Sequence, residues 1–202
     1  MFVVNEKCLV KIDRNNPKAI YATLGCGVQS GAGTILNVLK PKPNETVVVF
    51  GLGSVGLTAL MAAAYLGAFK VIAVDIQGPK LESALELGAT HALNSRGCAN
   101  AAEKIKEMTS GGADYALECT GIPGVIETAV GCLGPTGTAA VVGVPLSNSK
   151  IQIDPLAFLL DNKKLIGVIE GDSRPKEISL HMILSRNKAH VLPRPLVSSF
   201  PS

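Results

Sequence analysis

The residues Gly51-Leu52-Gly53-Ser54-Val55-Gly56 form a G-x-G-x-x-G run directly after the apolar stretch Thr-Val-Val-Val-Phe at 46–50. Such a run ends a strand and opens a helix. Gly51 permits the sharp turn, Gly53 lets backbone approach a phosphate, and Gly56 lets the helix lie close on its sheet. Ser54 and Val55 begin that helix, whose first N–H groups and positive dipole end make an anion site. About 20 residues on, Asp75 ends the next apolar run, Val-Ile-Ala-Val at 71–74, where a carboxylate accepts hydrogen bonds from ribose hydroxyls. Together these predict a bound dinucleotide, NAD rather than NADP, because Asp75 repels a 2′-phosphate. The alternative is a tight turn that binds nothing, with Asp75 a solvated acid at a strand end. Lys80 lies just beyond Asp75 and either reaches the same ribose or stands as an exposed first-turn lysine. Two later runs, Cys119-Thr120-Gly121 and Val142-Gly143-Val144, end strands in small residues and border the ligand crevice. Thr120 joins the candidate site there, and the backbone of 142–144 is a candidate partner for the nicotinamide carboxamide.

These groups need a scaffold that brings strand ends to one edge, and the rest of the chain predicts one. Apolar strands at 46–50, 71–74, 90–94, 115–119, 138–143 and 164–169 alternate with helices at 54–66, 79–87, 101–108, 125–133 and 155–160. That alternation predicts an α/β fold with a doubly wound parallel sheet (Rossmann type), strand order 3-2-1-4-5-6 and right-handed crossovers. A strand at 2–12, a helix at 19–39 and a short alternating strand at 150–154 complete the reading.

Composition excludes several classes of function. Hydrophobic residues make up 47% and charged ones 17% of the 202 residues, too apolar a chain to be disordered. No apolar run reaches the ~18–20 residues of a membrane span, and the first ten residues carry no basic region ahead of an apolar one, so neither membrane nor secretory signal is expected. The net charge of +3 is unevenly placed: residues 173–202 carry five Lys/Arg against one acid, leaving the body near neutral. With aromatics at 4% and no Trp, no nucleic-acid groove is expected. Five scattered cysteines without a C-x-x-C pair predict reduced thiols and a cytoplasmic setting.

The motifs in combination resemble the zinc-dependent medium-chain alcohol dehydrogenases, especially the aryl- and benzyl-alcohol type. The resemblance rests on Leu-Gly-Cys-Gly-Val-Gln-Ser-Gly-Ala-Gly (24–33), the glycine run with Asp75, Leu-Gly-Ala (87–89), Glu-Cys-Thr-Gly (118–121) and Val-Gly-Val-Pro (142–145), and covers about residues 1–177. It implies a coenzyme-binding domain for NAD(H), working in hydride transfer to or from a primary, aryl-type alcohol or aldehyde. It also implies that Cys26 matches one ligand of a catalytic zinc, that Ser30 lies near the nicotinamide, and that Val168 and Glu170 contact its carboxamide through their backbone. The segment 150–154 matches a strand that pairs across a two-fold homodimer in that family. The family's Gly-His-Glu motif and its structural-zinc loop of four close cysteines do not occur here, and His91, His181 and His190 fit neither. Catalytic zinc takes three protein ligands, so Cys26 is a single candidate ligand, with zinc expected only where a longer form supplies the others. Its other reading is a small semi-buried thiol. The expected organisation is a catalytic-domain remnant with a connecting helix at 1–39, an NAD-binding domain at 40–172, and an atypical basic, disordered tail at 173–202. The isolated chain is expected to be inactive, the alternative being a non-catalytic dinucleotide-binding or dimerisation module.

Overall fold

Strand β1 (Thr46–Phe50) is buried at every position, as a β-branched run without alternation requires. Its side chains divide between two cores. Val47 and Val49 join one with Leu60, Val71, Leu81 and Leu117. Val48 and Phe50 join the other with Ile72, Ile105, Ala116 and Leu133. Each such side chain, fully removed from water, contributes roughly 1.5–3 kcal/mol. A sheet with both faces apolar must be covered on both, and helices do so.

In the computed structural model, which describes residues 3–6, 9–11 and 22–174, six parallel strands lie in the order 3-2-1-4-5-6. They are β1, β2 (Lys70–Asp75), β3 (His91–Asn94), β4 (Ala113–Glu118), β5 (Leu133–Val141) and β6 (Lys164–Gly167). The helices are α1 (24–39), α2 (Ser54–Tyr65), α3 (Gly78–Glu86), α4 (Ala101–Met108), α5 (Pro123–Gly131) and α6 (Pro155–Leu160). The first three contribute to one core and α4 and α5 to the other. Proline opens α5 and α6 and stands in the first turn of α3, where its missing N–H is no loss.

The nearly uniform apolarity of α2 follows from its place between the sheet and α1. Gly27 and Gly31 of α1 touch it through backbone: a Cβ on Gly31 would lie 2.0 Å from the Val55 carbonyl oxygen, and one on Gly27 2.6 Å from Ser54 Oγ. Both ends of α1 are widened to π turns, at Leu24–Val28 and Thr34–Leu39, and Lys40, at φ 49°, stops it in the left-handed region.

Three expectations are corrected. No strand forms at 150–154, because no strand among the described residues lies beside that segment to pair with it. Instead the Gln152 N–H donates to Glu127 Oε1 at 2.7 Å, and Asp154 caps α6 by accepting from Leu156 N and Ala157 N at 2.9 and 3.3 Å. The described part of the segment 2–12 holds no sheet position either, and it turns through Leu9 N–H to the Glu6 carbonyl at 3.2 Å. The fifth strand begins at Leu133 rather than 138. Leu133 pairs with Ala113, the register then shifts, and pairing resumes at Thr138. Thr136 at φ 62° marks the excursion between them. Residues 19–21 of the expected first helix, and the tail from 175 with His181 and His190, lie outside the described residues.

Candidate dinucleotide site

The glycine run leaves β1 with Gly51 at φ 85°, a conformation L side chains rarely adopt. Its N–H donates to the Val74 carbonyl at 2.9 Å, pinning the loop to the end of β2. Gly56 meets Gly51 so closely that a Cβ would lie 1.9 Å from its carbonyl oxygen, whereas a Cβ on Gly53 would meet nothing within 4 Å. The open face is thus at Gly53, which is also the N-cap of α2 and provides no side-chain cap. The first N–H groups of α2, at Ser54 and Val55, lack intrahelical acceptors and lie beside that opening. This is an open cradle of the shape and charge a pyrophosphate needs.

Asp75 is buried, and its carboxylate spans two segments. Oδ2 accepts from Leu52 N in the glycine loop at 2.8 Å, and Oδ1 from Gln77 N at 3.0 Å. Lys80 Nζ stands 3.9 Å from Oδ2. Each oxygen retains acceptor capacity, so the carboxylate holds the loop in place and still offers lone pairs to ribose hydroxyls. The residues fit the adenosine diphosphate half of NAD.

On the other side of β1, β4 ends at Glu118, which is wholly buried. Its Oε1 accepts from Thr120 N at 2.6 Å, from the Thr120 hydroxyl, and from Gly121 N at 3.1 Å. Its main-chain carbonyl accepts from Val142 N and Gly143 N at 2.9 and 3.0 Å. These bonds draw the 119–121 and 142–144 turns together. A Cβ on Gly143 would lie 2.2 Å from Gly121 N, and one on Gly51 2.6 Å from Thr120 Cγ2. Val144 projects from this junction, 87% exposed. Sequence reasoning picked out Thr120, Val142, Gly143 and Val144 but missed Glu118 as the group that joins them. A carboxyl ending an apolar strand two residues before Thr-Gly was the available signal.

Ser30 is buried on α1, and its hydroxyl lies 3.4 Å from Glu170 Oε2, which also accepts from Gln29 Nε2 at 3.1 Å. Val168 is buried, and its N–H donates to the Val141 carbonyl at 3.0 Å. At the carboxyl edge of the sheet, α1 thereby meets the start of α2 after β1 through Gly27 and Gly31 and the turn after β6 through Gln29, Ser30 and Gly33. Gln29 was not singled out by its sequence, where it is one polar residue among glycines.

Cys26 is exposed rather than semi-buried. Among the described residues no three His, Cys, Asp or Glu side chains are grouped to hold a metal. His91 lies on β3, its Nδ1 2.9 Å from Thr90 Oγ1. These residues do not fit a catalytic zinc by themselves. Burial pushes the Cys132 thiol up to about 12, with Lys106 and Lys163 only partly offsetting it, and burial together with Glu118 pushes the Cys119 thiol up as well. Because the thiolate is the nucleophile, iodoacetamide at pH 8 is expected to label exposed Cys26 roughly a hundredfold or more faster than Cys132. Peptide mass mapping of a labelling time course checks this.

A parallel sheet of this order with a glycine cradle at its first turn defines a dinucleotide-binding class, and comparison with known proteins narrows it. Residues 54–185 match the family described as zinc-binding dehydrogenase, and the chain belongs to that family. It is 41% identical over 178 residues to a probable alcohol dehydrogenase of a Pseudomonas species, covering 86% of this chain and 56% of that protein. It is 36% identical over 181 residues to geraniol dehydrogenase of Castellaniella defragrans, covering 90% and 48%. The structure of benzyl alcohol dehydrogenase from Acinetobacter calcoaceticus superposes with a TM-score of 0.84 at 42% identity, over 90% of this chain and 50% of that one. The chain therefore spans about half the length of the relatives it matches, and the half it spans is the coenzyme-binding one.

Proposed function

We propose that residues 40–172 bind NAD(H) as the coenzyme domain of an alcohol dehydrogenase, that 1–39 carries a catalytic-domain remnant and the connecting helix, and that the chain alone does not turn over alcohol. The observation that carries this reading is the open cradle at Gly53, with Asp75 fastening the same loop through Leu52 N at 2.8 Å. When bound, NAD supplies the hydride acceptor for oxidation of a primary, aryl-type alcohol, and NADH the donor for the reverse reduction. This chain's own part is to bind and orient. Gly53, Ser54 and Val55 present N–H groups to the pyrophosphate, and Asp75 and Lys80 take the adenosine ribose. Thr120, Val142, Gly143, Val144, Ser30, Val168 and Glu170 line the nicotinamide side. No zinc step is assigned to Cys26, because the described residues supply no companion ligands.

Calorimetric titration tests the reading. NADH is expected to bind the intact chain more tightly than NADPH, with no alcohol oxidation by the purified protein. Asp75→Gly should weaken NADH by roughly ten- to a hundredfold, the equivalent of losing one or two charge-assisted hydrogen bonds, and should relieve the exclusion of NADPH. No NADH binding at millimolar concentration would sink the binding claim. An unchanged preference in Asp75→Gly would remove Asp75 as selector.

A dimerisation module is the second reading, favoured by the surface around 144–160. Val144, Leu146, Leu156, Leu159 and Leu160 are all exposed there. The segment 150–154 alternates like a strand and has no strand beside it. Pairing with the same segment of a second copy would give it one, and would make this surface the seam of a homodimer. No described helix is long and apolar enough to cross a membrane.

A further inference from the structure

Gln29 is 3% exposed and its Oε1 has no hydrogen-bond partner. Buried amides are normally satisfied, so an orphaned oxygen calls for a cause. The cause is Glu170. Turning the amide over would set its oxygen against the carboxylate, so Nε2 is held toward Oε2 at 3.1 Å and the oxygen is left alone. Ser30 Oγ adds to the same carboxylate oxygen at 3.4 Å. Glu170, Gly171 and Asp172 lie at φ 51°, 63° and 46°, three left-handed residues in succession, of which only the glycine is at ease. Two further features of α1 hold that turn. Asn37 Nδ2 donates to the Gly171 carbonyl and to Ser173 Oγ, each at 3.0 Å. Gly33 and Gly171 are packed so that a Cβ on Gly171 would lie 2.7 Å from Gly33 Cα. Among the described residues no lysine or arginine pairs with Glu170.

The turn after β6 thus sets the Glu170 carboxylate against α1 beside Ser30, one turn from Gly27, which itself packs on Ser54 of the glycine run. On the coenzyme reading above, a dinucleotide whose pyrophosphate lies on that run has its nicotinamide at this end of α1. The nicotinamide ring is cationic when oxidised and neutral when reduced. We propose that Glu170, clamped by Gln29 and Ser30, selects the redox state of the coenzyme, favouring NAD+ over NADH through its charge. The proposal rests on the coenzyme reading above and adds a task for the Glu170 side chain, with Gln29 and Ser30 as positioning residues.

The test is calorimetric titration of the full chain and of Glu170→Gln with NAD+ and with NADH. The substitution keeps shape and hydrogen-bonding capacity while removing charge. NAD+ affinity is expected to fall roughly three- to tenfold relative to NADH, as one charge acting across a partly screened site implies. An unchanged ratio, with both forms weakened equally or neither affected, would overturn the proposal and leave the coenzyme reading intact. A measurement on the unaltered chain guards against a variant that does not fold. With ADP-ribose bound, 1-methylnicotinamide, a cation, should bind at least about threefold more tightly than neutral nicotinamide, and equal binding would overturn the selector. Failure of the unaltered chain to bind either dinucleotide would overturn both readings together.

Discussion

Gly56→Ala is expected to lower the unfolding free energy by about 3 kcal/mol and to abolish measurable NADH binding. The added Cβ would lie 1.9 Å from the Gly51 carbonyl oxygen, 3.0 Å from its carbon and 3.3 Å from Val49 Cγ1. Two of those three atoms are backbone, so no rotamer change relieves the clash. Either Gly51 shifts, losing its bond to the Val74 carbonyl, or α2 lifts from the sheet. If α2 lifts it meets α1, because Gly31 is already pressed against the Val55 carbonyl. Gly53→Ala is the control, since its Cβ would enter open space. It should leave stability within about 1 kcal/mol while still weakening the nucleotide. Urea denaturation paired with NADH titration separates the two. Equal stability of Gly56→Ala and the unaltered chain would show that the loop is not close-packed as described.

The second large effect is expected at Glu118. Glu118→Ala should destabilise the chain by about 3 kcal/mol, and Glu118→Gln by about 1 kcal/mol. Alanine removes the acceptor for Thr120 N, the Thr120 hydroxyl and Gly121 N at once, leaves the buried Gly121 N–H unsatisfied and opens a void where a fully buried side chain stood. Glutamine retains an acceptor oxygen at the same reach and loses only the second. The 119–121 turn touches both Gly51 and Val144, so Glu118→Ala should also weaken NADH, although Glu118 need not touch it. Denaturant melts and limited proteolysis near Thr120 report the two effects. Equal loss in both variants would mean that the hydrogen-bonding pattern, rather than the filled volume and one acceptor, decides the stability.

The contrast between Gly56 and Glu118 shows what a linear reading captures. β1 was legible because a run of four β-branched residues and a phenylalanine, apolar from Val47 onward, fits a strand covered on both faces. Gly51 to Gly56 were legible because spacing alone determines which backbone atoms collide. Strand order followed from handedness once strands and helices alternated. Glu118 was not legible as an anchor. It stood inside a run already read as strand, and only the fold brings its carboxyl under the turn that follows. Gln29 was hidden for a similar reason, its partner Glu170 lying 141 residues away. The segment 150–154 shows the opposite error. Its alternation suits a strand, yet a strand needs a neighbour, and sequence pattern does not supply one. The fifth strand was read as starting at 138, whereas pairing starts before it, at Leu133 with Ala113, ahead of the register shift.

The place of β1 in the sheet bears on how the chain is made. β1 pairs with β2 on one side and with β4 on the other, and Thr46 N–H donates at 2.7 Å to Asp114, 68 residues later. At ~5–20 residues per second of synthesis, that stretch takes about 3–14 s to emerge. During that interval β1, β2 and β3 can assemble, but the second edge of the most apolar strand in the sheet stays open, a template for pairing with another nascent chain. The topology that brings the glycine loop to the middle of the sheet therefore leaves this strand open on one edge until β4 is made, so shielding by chaperones matters between the synthesis of residue 50 and that of residue 118.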